Sequence, residues 1–270
     1  MSAMETVDLY CVDQGPFEPD ALEPPLVLIH GSDASARDWE YVIPAFAQRR
    51  RVIVPSLRGH GHSPSGNGYT VAEMAADVWV LLDRLDVRRF DLIGHSMGGA
   101  VAQQMAVDGG ARVCRAVFAN TLPSFVTDTP AKRMLYWSRA ALMLLLGPQR
   151  LTRALARRAF PGDAAAALRA RVIDHGGAAH NRFVYLRSVH ALRHWQVVDR
   201  LGEIRCPALV IMSEHDYFPV AEGERFASLL PQAEFKWMPD GRHPLPLQFP
   251  ERFIAEVLRF FAAHRVVAAD

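Results

Sequence analysis

The sequence predicts an α/β protein with a mostly parallel central sheet covered by helices on both faces, and with a helical lid inserted into it. Three observations carry this prediction. Short β-branched runs alternate with segments of helical periodicity through residues 1–123, the alternation stops over 124–200, and it resumes over 201–270. We therefore divide the chain into a core, 1–123 and 201–270, and an insertion, 124–200.

The strands expected in the core are short apolar runs that end at turn residues, as buried parallel strands do. They are PLVLIH (25–30), RVIVP (51–55), RFDLIG (89–94), RVCRAVFAN (112–120), ALVIMS (208–213) and AEFKWM (233–238). The helices expected between and after them are WEYVIPAF (39–46), a segment from Thr70, 97–107, AEGERFASLL (221–230) and about 250–264. From Thr70 onward the apolar residues recur at i, i+3, i+4 and i+7, which is the spacing of one helix face.

The insertion has a different composition. It contains no convincing strand, is rich in Ala and Arg, and carries 13 basic residues against 4 acidic ones, whereas the rest of the chain carries 17 against 25. An all-helical segment inserted into a sheet domain is typical of a lid. Most of its basic side chains are interpreted as a solvated face.

Composition excludes several classes of function. The formal net charge is +1, so the protein as a whole has no electrostatic field that would favour binding of nucleic acid. The longest apolar run, AALMLLL (140–146), is too short to span a bilayer, and the start of the chain lacks the features of a secretory signal. Three scattered cysteines predict neither a disulfide framework nor a Cys-rich metal site. We expect a cytoplasmic protein without a metal or other cofactor; the oligomeric state is not predicted.

The stretch GHSMGG (94–99) joins a predicted strand to a predicted helix. A sharp turn there would strain Ser96 and project its hydroxyl over the sheet edge, and glycine would be needed two residues before and after it because the backbones crowd. The simpler alternative is a strand–helix turn in which Ser96 caps the helix. The strand–turn–helix setting and the additional Gly99 favour a nucleophile.

A serine nucleophile needs a base and a carboxylate that orients the base. Asp216 follows the strand ALVIMS and His243 follows the strand AEFKWM, so both lie beyond strand C-termini, where open α/β sheets place their sites. Alternatively, Asp216 is a turn residue and His243 one of eleven ordinary histidines. Agreement among three independent placements favours the catalytic interpretation.

An oxyanion hole is the remaining requirement of this chemistry. The backbone N–H of Met97, directly after the nucleophile, is one expected donor. The backbone N–H of Ser32, in the loop after the first core strand, is the other. His30 is expected to hold the shape of that loop rather than to act as a base.

Together these motifs resemble the α/β-hydrolase superfamily, in its group of lidded esterases, lactonases and C–C hydrolases. The motifs that carry the resemblance are His30-Gly31, Trp39, RGHGHS (58–63), GHSMGG (94–99), SEHD (213–216) and His243. One departure is Arg242, because glycine often precedes the catalytic histidine in this group; Arg242 would place a cation near the substrate. Some relatives carry the acid of the catalytic triad at the position of Asn120. An asparagine side chain cannot act as that acid, so Asp216 is preferred.

The resemblance implies a serine hydrolase that forms an acyl-enzyme on Ser96 with a small-molecule ester or lactone. C–C hydrolysis, thioester hydrolysis, perhydrolysis, a biosynthetic lyase reaction and a catalytically silent receptor remain open. Expected substrate contacts are His95, Phe125, Trp137 and Arg242. Met134, Tyr136, Met143 and Leu144 either line an acyl pocket or pack within the insertion. The alternative role for the basic residues of the insertion is attraction of an acidic substrate, such as a carboxylate or an acyl thioester.

Two further motifs are interpreted as structural. Gly59-x-Gly61 precedes no βαβ phosphate-binding unit and is expected to be a turn-rich loop near the pocket. The histidines of the insertion have no acidic or Cys partners at ligand spacing, so they do not predict a metal site. They are His175, His180, His190 and His194.

Overall fold

The computed structural model describes residues 5–16, 23–32, 34–176 and 181–266. Their strands are β1 (Cys11–Gln14), β2 (Leu26–Ile29), β3 (Val52–Pro55), β4 (Phe90–His95), β5 (Val113–Ala119), β6 (Ala208–Ser213) and β7 (Ala233–Met238). The helices are α1 (Ile43–Ala47), α2 (Val71–Arg84), α3 (Met97–Gly109), α4 (Pro130–Ala159), α5 (Ala166–His175), α6 (Arg182–Leu192), α7 (Val220–Ser228), α8 (Leu245–Gln248) and α9 (Pro250–Ala263). His180 lies outside the described residues.

The seven strands form one sheet in the order β1-β3-β2-β4-β5-β6-β7. Every pairing is parallel except that of β1 with β3, which is antiparallel and places Cys11 opposite Pro55. The six strands expected from the sequence are confirmed. β1 was not predicted, because an edge strand of four partly buried residues, CVDQ, lacks the apolar run of the central strands.

Helices cover both faces of the sheet. In β2 all four residues are fully buried, and alternate side chains belong to two separate cores. Val27 and Ile29 pack with residues of α2, α3 and α7, whereas Leu26 and Leu28 pack with residues of α1 and α9. This arrangement explains why the strands read as continuous apolar runs rather than as alternating patterns.

The described residues between β5 and β6 form helices joined by loops, and their one strand-like contact is an isolated bridge between Ser124 and Gln196. α4 is interrupted at Gly147, whose φ of 73° lies in the left-handed region and precedes Pro148. Met143, Leu151 and Tyr185 form a small apolar cluster within the insertion. Within the described ranges, no helix combines the length and the apolarity that a membrane crossing requires.

Candidate active site

Ser96 occupies the sharp turn between β4 and α3. Its φ of 55° and ψ of −120° are strained for a residue with a side chain, and its hydroxyl makes no capping hydrogen bond to α3. The structure therefore does not support the capping alternative. A Cβ at Gly94 would collide with the carbonyl oxygen of Gly98, and one at Gly98 would collide with the carbonyl oxygens of Ile29 and His30. Glycine at both positions lets the chain turn so tightly.

The loops after β6 and β7 bring Asp216 and His243 to Ser96. The Oγ of Ser96 lies 2.9 Å from Nε2 of His243, and Nδ1 of His243 lies 3.0 and 2.9 Å from the two carboxylate oxygens of Asp216. A carboxylate only accepts hydrogen bonds, so Nδ1 donates to Asp216 and Nε2 accepts from the Ser96 hydroxyl. The Asp216 carboxylate is fully buried, and the His243 side chain is 14% exposed. The three predicted residues thus form one hydrogen-bonded chain.

The side chains of His95 and Asn120 hold the backbone of His243. Nε2 of His95 donates to the His243 carbonyl oxygen at 2.7 Å, and Nδ2 of Asn120 donates to the same oxygen at 3.0 Å. Asn120 also accepts from the Ser213 N–H at 2.8 Å and donates to the Arg242 carbonyl at 3.3 Å. Its sequence position indicated only that the catalytic acid is not at this strand end; the structure shows that Asn120 links β5, β6 and the His243 loop.

We expect Asn120→Ala to lower kcat by about 10²-fold with a smaller effect on KM, because a misplacement of roughly 1 Å at a catalytic group has an effect of this size. The control is Ser213→Ala, which removes a neighbour of the Asn120 amide but leaves its hydrogen bond to His243. Steady-state kinetics on an accepted ester measure both variants. Equal losses of kcat in the two variants would contradict a role for Asn120 in positioning His243.

His95 is neutral in the folded protein. Burial, together with a smaller effect of the neighbouring His243, lowers the pKa of His95 to about 3. The neutral ring donates through Nε2 to the His243 backbone. This contact is with protein; the predicted contact of His95 with substrate remains a prediction.

The depressed pKa of His95 predicts a pH-dependent stability. An unfolded histidine titrates near 6.5, so between pH 6.5 and about 3 the unfolded chain binds a proton that folded His95 does not. The free energy of unfolding should therefore fall as the pH falls, by up to about 1.4 kcal/mol per pH unit from this residue. In His95→Gln the fall should be shallower. Urea unfolding at pH 7, 6 and 5 measures the free energy of unfolding of both proteins. An equal dependence of this free energy on pH in the two proteins would contradict a depressed pKa of His95.

The loop after β2 lies directly against the nucleophile. A Cβ at Gly31 would be 3.2 Å from Cβ of Ser96. Nε2 of His30 accepts from the Leu57 N–H at 3.0 Å, so its Nδ1 donates to the Gly31 carbonyl at 2.8 Å. Nε2 of His60 is 3.1 Å from the Ser32 carbonyl. His30 thus holds the loop as expected, and the role of the Ser32 and Met97 amides as an oxyanion hole remains a prediction.

A second serine–histidine pair is present but is enclosed. Oγ of Ser188 lies 3.5 Å from Nε2 of His60, and it donates to the Val184 carbonyl at 2.9 Å. Both side chains are fully buried, and burial lowers the pKa of His60. Because a substrate cannot reach this pair, we interpret it as a link between the RGHGHS loop and α6.

Aromatic side chains surround the imidazole of His243. The Tyr217 ring lies 4.0 Å from it between centroids, at an interplanar angle of 34°, and the Phe218 ring lies 5.7 Å away. Phe125 packs against Phe218, with 5.6 Å between their ring centroids, and its contact with substrate remains a prediction. Tyr217 was missed by the sequence analysis, although its position directly after Asp216 is a signal that would have found it.

The other expected substrate contacts lie farther from the three residues. Trp137 is 60% exposed, its ring packs on Tyr136, and the guanidinium of Arg193 lies 5.8 Å from it. The guanidinium of Arg242 lies 5.7 Å from the Phe160 ring at the end of α4. The structure does not bring Trp137 or Arg242 into the hydrogen-bonded chain, and their contacts with substrate remain predictions.

The apolar residues of the insertion differ in their surroundings. Met143 is buried within the small cluster of the insertion. Met134 and Leu144 are 72% and 47% exposed. Packing within the insertion therefore accounts for Met143, whereas the other two face outward.

One group of side chains among the described residues has the spacing of a metal site, namely Glu214, His215 and Asp240. All three are exposed, and the Asp240 N–H already donates to Glu214. An exposed acidic cluster of this kind is common on protein surfaces, so we assign it no ligand.

The fold and the site geometry define a class of protein, and comparison with known proteins identifies it. The sequence profile of the alpha/beta hydrolase fold matches residues 24–250. The chain therefore belongs to the α/β-hydrolase fold family. Its helical insertion falls between β5 and β6, and Ser96 occupies the turn after β4.

Particular relatives are named for several hydrolytic activities. The chain is 30% identical over 247 residues to the “Putative carbamate hydrolase RutD” of Pseudomonas savastanoi pv. phaseolicola, covering 89% of this chain and 94% of that protein. The enol-lactonase from Burkholderia xenovorans LB400 matches with a TM-score of 0.83 and 25% identity, over 95% of this chain and 97% of that one. A thermophilic esterase from Thermogutta terrifontis matches with a TM-score of 0.80 and 25% identity, over 96% and 95%.

Proposed function

We propose that this protein is a serine hydrolase that cleaves a small-molecule carboxylic ester or lactone through an acyl-enzyme on Ser96. The observation that carries the proposal is the hydrogen-bonded chain from Ser96 through His243 to Asp216, at distances of 2.9 to 3.0 Å. A hydroxyl bonded to a base, with the base bonded to a buried carboxylate, is the arrangement that activates a serine nucleophile.

In the first half-reaction, Oγ of Ser96 attacks the substrate carbonyl carbon while its proton passes to Nε2 of His243. Asp216 keeps the imidazole in the required tautomer and stabilises the imidazolium. The tetrahedral oxyanion accepts hydrogen bonds from the backbone amides of Met97 and Ser32. When the intermediate collapses, the bond to the alkoxide breaks, and the leaving oxygen takes the proton from His243.

In the second half-reaction, a water molecule attacks the acyl-enzyme carbonyl and His243 accepts its proton. Collapse of this second tetrahedral intermediate breaks the bond to Ser96 Oγ, which recovers the proton, and the acid is released. No metal or redox step is needed for either half-reaction. His95 and Asn120 support both steps by fixing the loop that carries His243.

The choice of an ester or lactone rests on the relatives. The two similar solved structures are of an enol-lactonase and an esterase, and the related protein from Pseudomonas savastanoi pv. phaseolicola is named for a carbamate. All three names imply attack on an acyl carbon with a heteroatom leaving group. C–C cleavage, thioester hydrolysis, perhydrolysis and a lyase reaction use the same fold, so substrates must decide among them.

The test is a panel of purified-protein assays in which Ser96→Ala serves as the blank. The panel contains p-nitrophenyl esters of increasing acyl length, simple lactones, an acyl-coenzyme A and a vinylogous diketone for C–C cleavage. Rapid quenching of turnover and intact-mass measurement should reveal one acyl group on Ser96. Turnover that persists in Ser96→Ala would overturn the proposal, and tight ligand binding without turnover would favour a receptor.

A further inference from the structure

Arg139 of α4 lies over the aromatic wall of the site. Its guanidinium carbon is 5.1 Å from the centroid of the Tyr217 ring, and the Tyr185 side chain also lies near it. Tyr185 belongs to α6, and Tyr217 follows Asp216 in the loop after β6. Residues from two other elements, α6 and the loop after β6, therefore lie beside this guanidinium of α4.

A single ring separates Arg139 from the reacting groups. Tyr217 also contacts the imidazole of His243, at 4.0 Å between ring centroids. The two contacts place the guanidinium within about 9 Å of the His243 ring. Tyr217 is 54% exposed, so it presents an open surface beside His243, the base that accepts a hydrogen bond from Ser96.

The charge of Arg139 has no acidic partner within 4.0 Å among the residues that the structure describes. An arginine guanidinium is not deprotonated in proteins, so this side chain is a permanent cation beside the Tyr185 and Tyr217 side chains. By contrast, Lys132 at the start of the same helix pairs with Asp128 at 2.9 Å. A partly buried cation without a counter-ion favours binding of an anion.

We propose that Arg139 is the anion-binding residue of the substrate site, and that the protein acts on esters or lactones whose acyl part carries a free carboxylate. The guanidinium fork matches a carboxylate bidentately, which gives both charge and orientation. The distance between the Arg139 guanidinium and His243 matches substrates in which a short chain joins the carboxylate to the scissile carbonyl. The half-esters of small dicarboxylic acids are such substrates. This inference rests on the proposed serine hydrolase function.

The test compares two esters that differ only at the far end of the acyl chain. Monomethyl glutarate ends in a carboxylate, and methyl pentanoate ends in a methyl group at the same position. Acid release in a pH-stat gives kcat/KM for each. The wild-type protein should prefer monomethyl glutarate, and Arg139→Met should lower the ratio of the two kcat/KM values by about 10- to 100-fold, mainly through KM, as loss of a charged hydrogen bond predicts. Arg139→Lys should give an intermediate ratio.

The control variant is Arg153→Met, which removes an exposed arginine of the same helix. It should leave the ratio of kcat/KM values at the wild-type level. If Arg139→Met lowers both kcat/KM values equally, Arg139 only supports the structure and the inference is wrong. It is equally wrong if the wild-type protein hydrolyses methyl pentanoate as well as monomethyl glutarate.

Binding separates failure of this inference from failure of the proposed hydrolase function. Calorimetry with monomethyl glutarate uses Ser96→Ala, which cannot turn over, and the double variant Ser96→Ala/Arg139→Met. Binding weakened at least 10-fold in the double variant supports the anion site even when no ester is hydrolysed. Equal affinities overturn the anion site even when Ser96-dependent hydrolysis of neutral esters confirms the hydrolase.

Discussion

Ser96→Ala and His243→Ala are each expected to lower kcat by about four to six orders of magnitude on an accepted ester. Without the hydroxyl, or without the base 2.9 Å from it, the acyl-enzyme cannot form by the proposed route. The two groups act as one unit, so the double variant should lose little more than either single variant. Asp216→Asn should lower kcat by about 10⁴-fold, because an amide does not enforce the tautomer that leaves Nε2 free to accept.

Steady-state kinetics, corrected with enzyme-free blanks, measure these losses of kcat. Thermal unfolding confirms that each variant is folded. Ser213→Ala is a suitable folded reference, since it alters a buried hydroxyl near the site without touching the hydrogen-bonded chain. Turnover near the wild-type level by purified Ser96→Ala or His243→Ala would remove the basis of the proposed function. Fully additive losses in the double variant would show that the two residues act independently.

Gly98→Ala is expected to destabilise the fold by about 3 kcal/mol or more and to abolish most activity. The added Cβ would collide with the backbone carbonyls of Ile29 and His30, which belong to a central strand and its exit loop. Backbone atoms of a buried strand cannot rotate away as a flexible side chain can, so α3 must move relative to β2. That movement would shift Ser96 and the loop carrying Ser32 together.

The matched control is Gly202→Ala, because a Cβ at that exposed position meets nothing within 4 Å. Urea unfolding should find its stability close to that of the wild-type protein. If Gly98→Ala were as stable and as active as Gly202→Ala, the close approach of α3 to β2 would not be needed to form the turn at Ser96.

The sequence by itself determined the sheet, the turn at Ser96 and the order of the three site residues. Five of the six predicted core strands are buried on both faces, so each is a local apolar run that can be recognised without knowing its neighbours, whereas β7 is a partly buried edge strand. Asp216 and His243 were placed because parallel strands end at the same edge of a sheet, where loop residues meet whatever their separation along the chain.

Only the tertiary structure decided which side chains surround those three residues. Asn120 and His95 contact the His243 carbonyl across 123 and 148 residues, and Arg139 reaches Tyr217 only through the docking of α4 against the loop after β6. The edge strand β1 depends likewise on pairing with β3 rather than on its own sequence. Hydropathy periods of 2 and 3.6 residues report which face of an element is buried, but not the element that covers it. Long-range contacts therefore follow from how the elements dock.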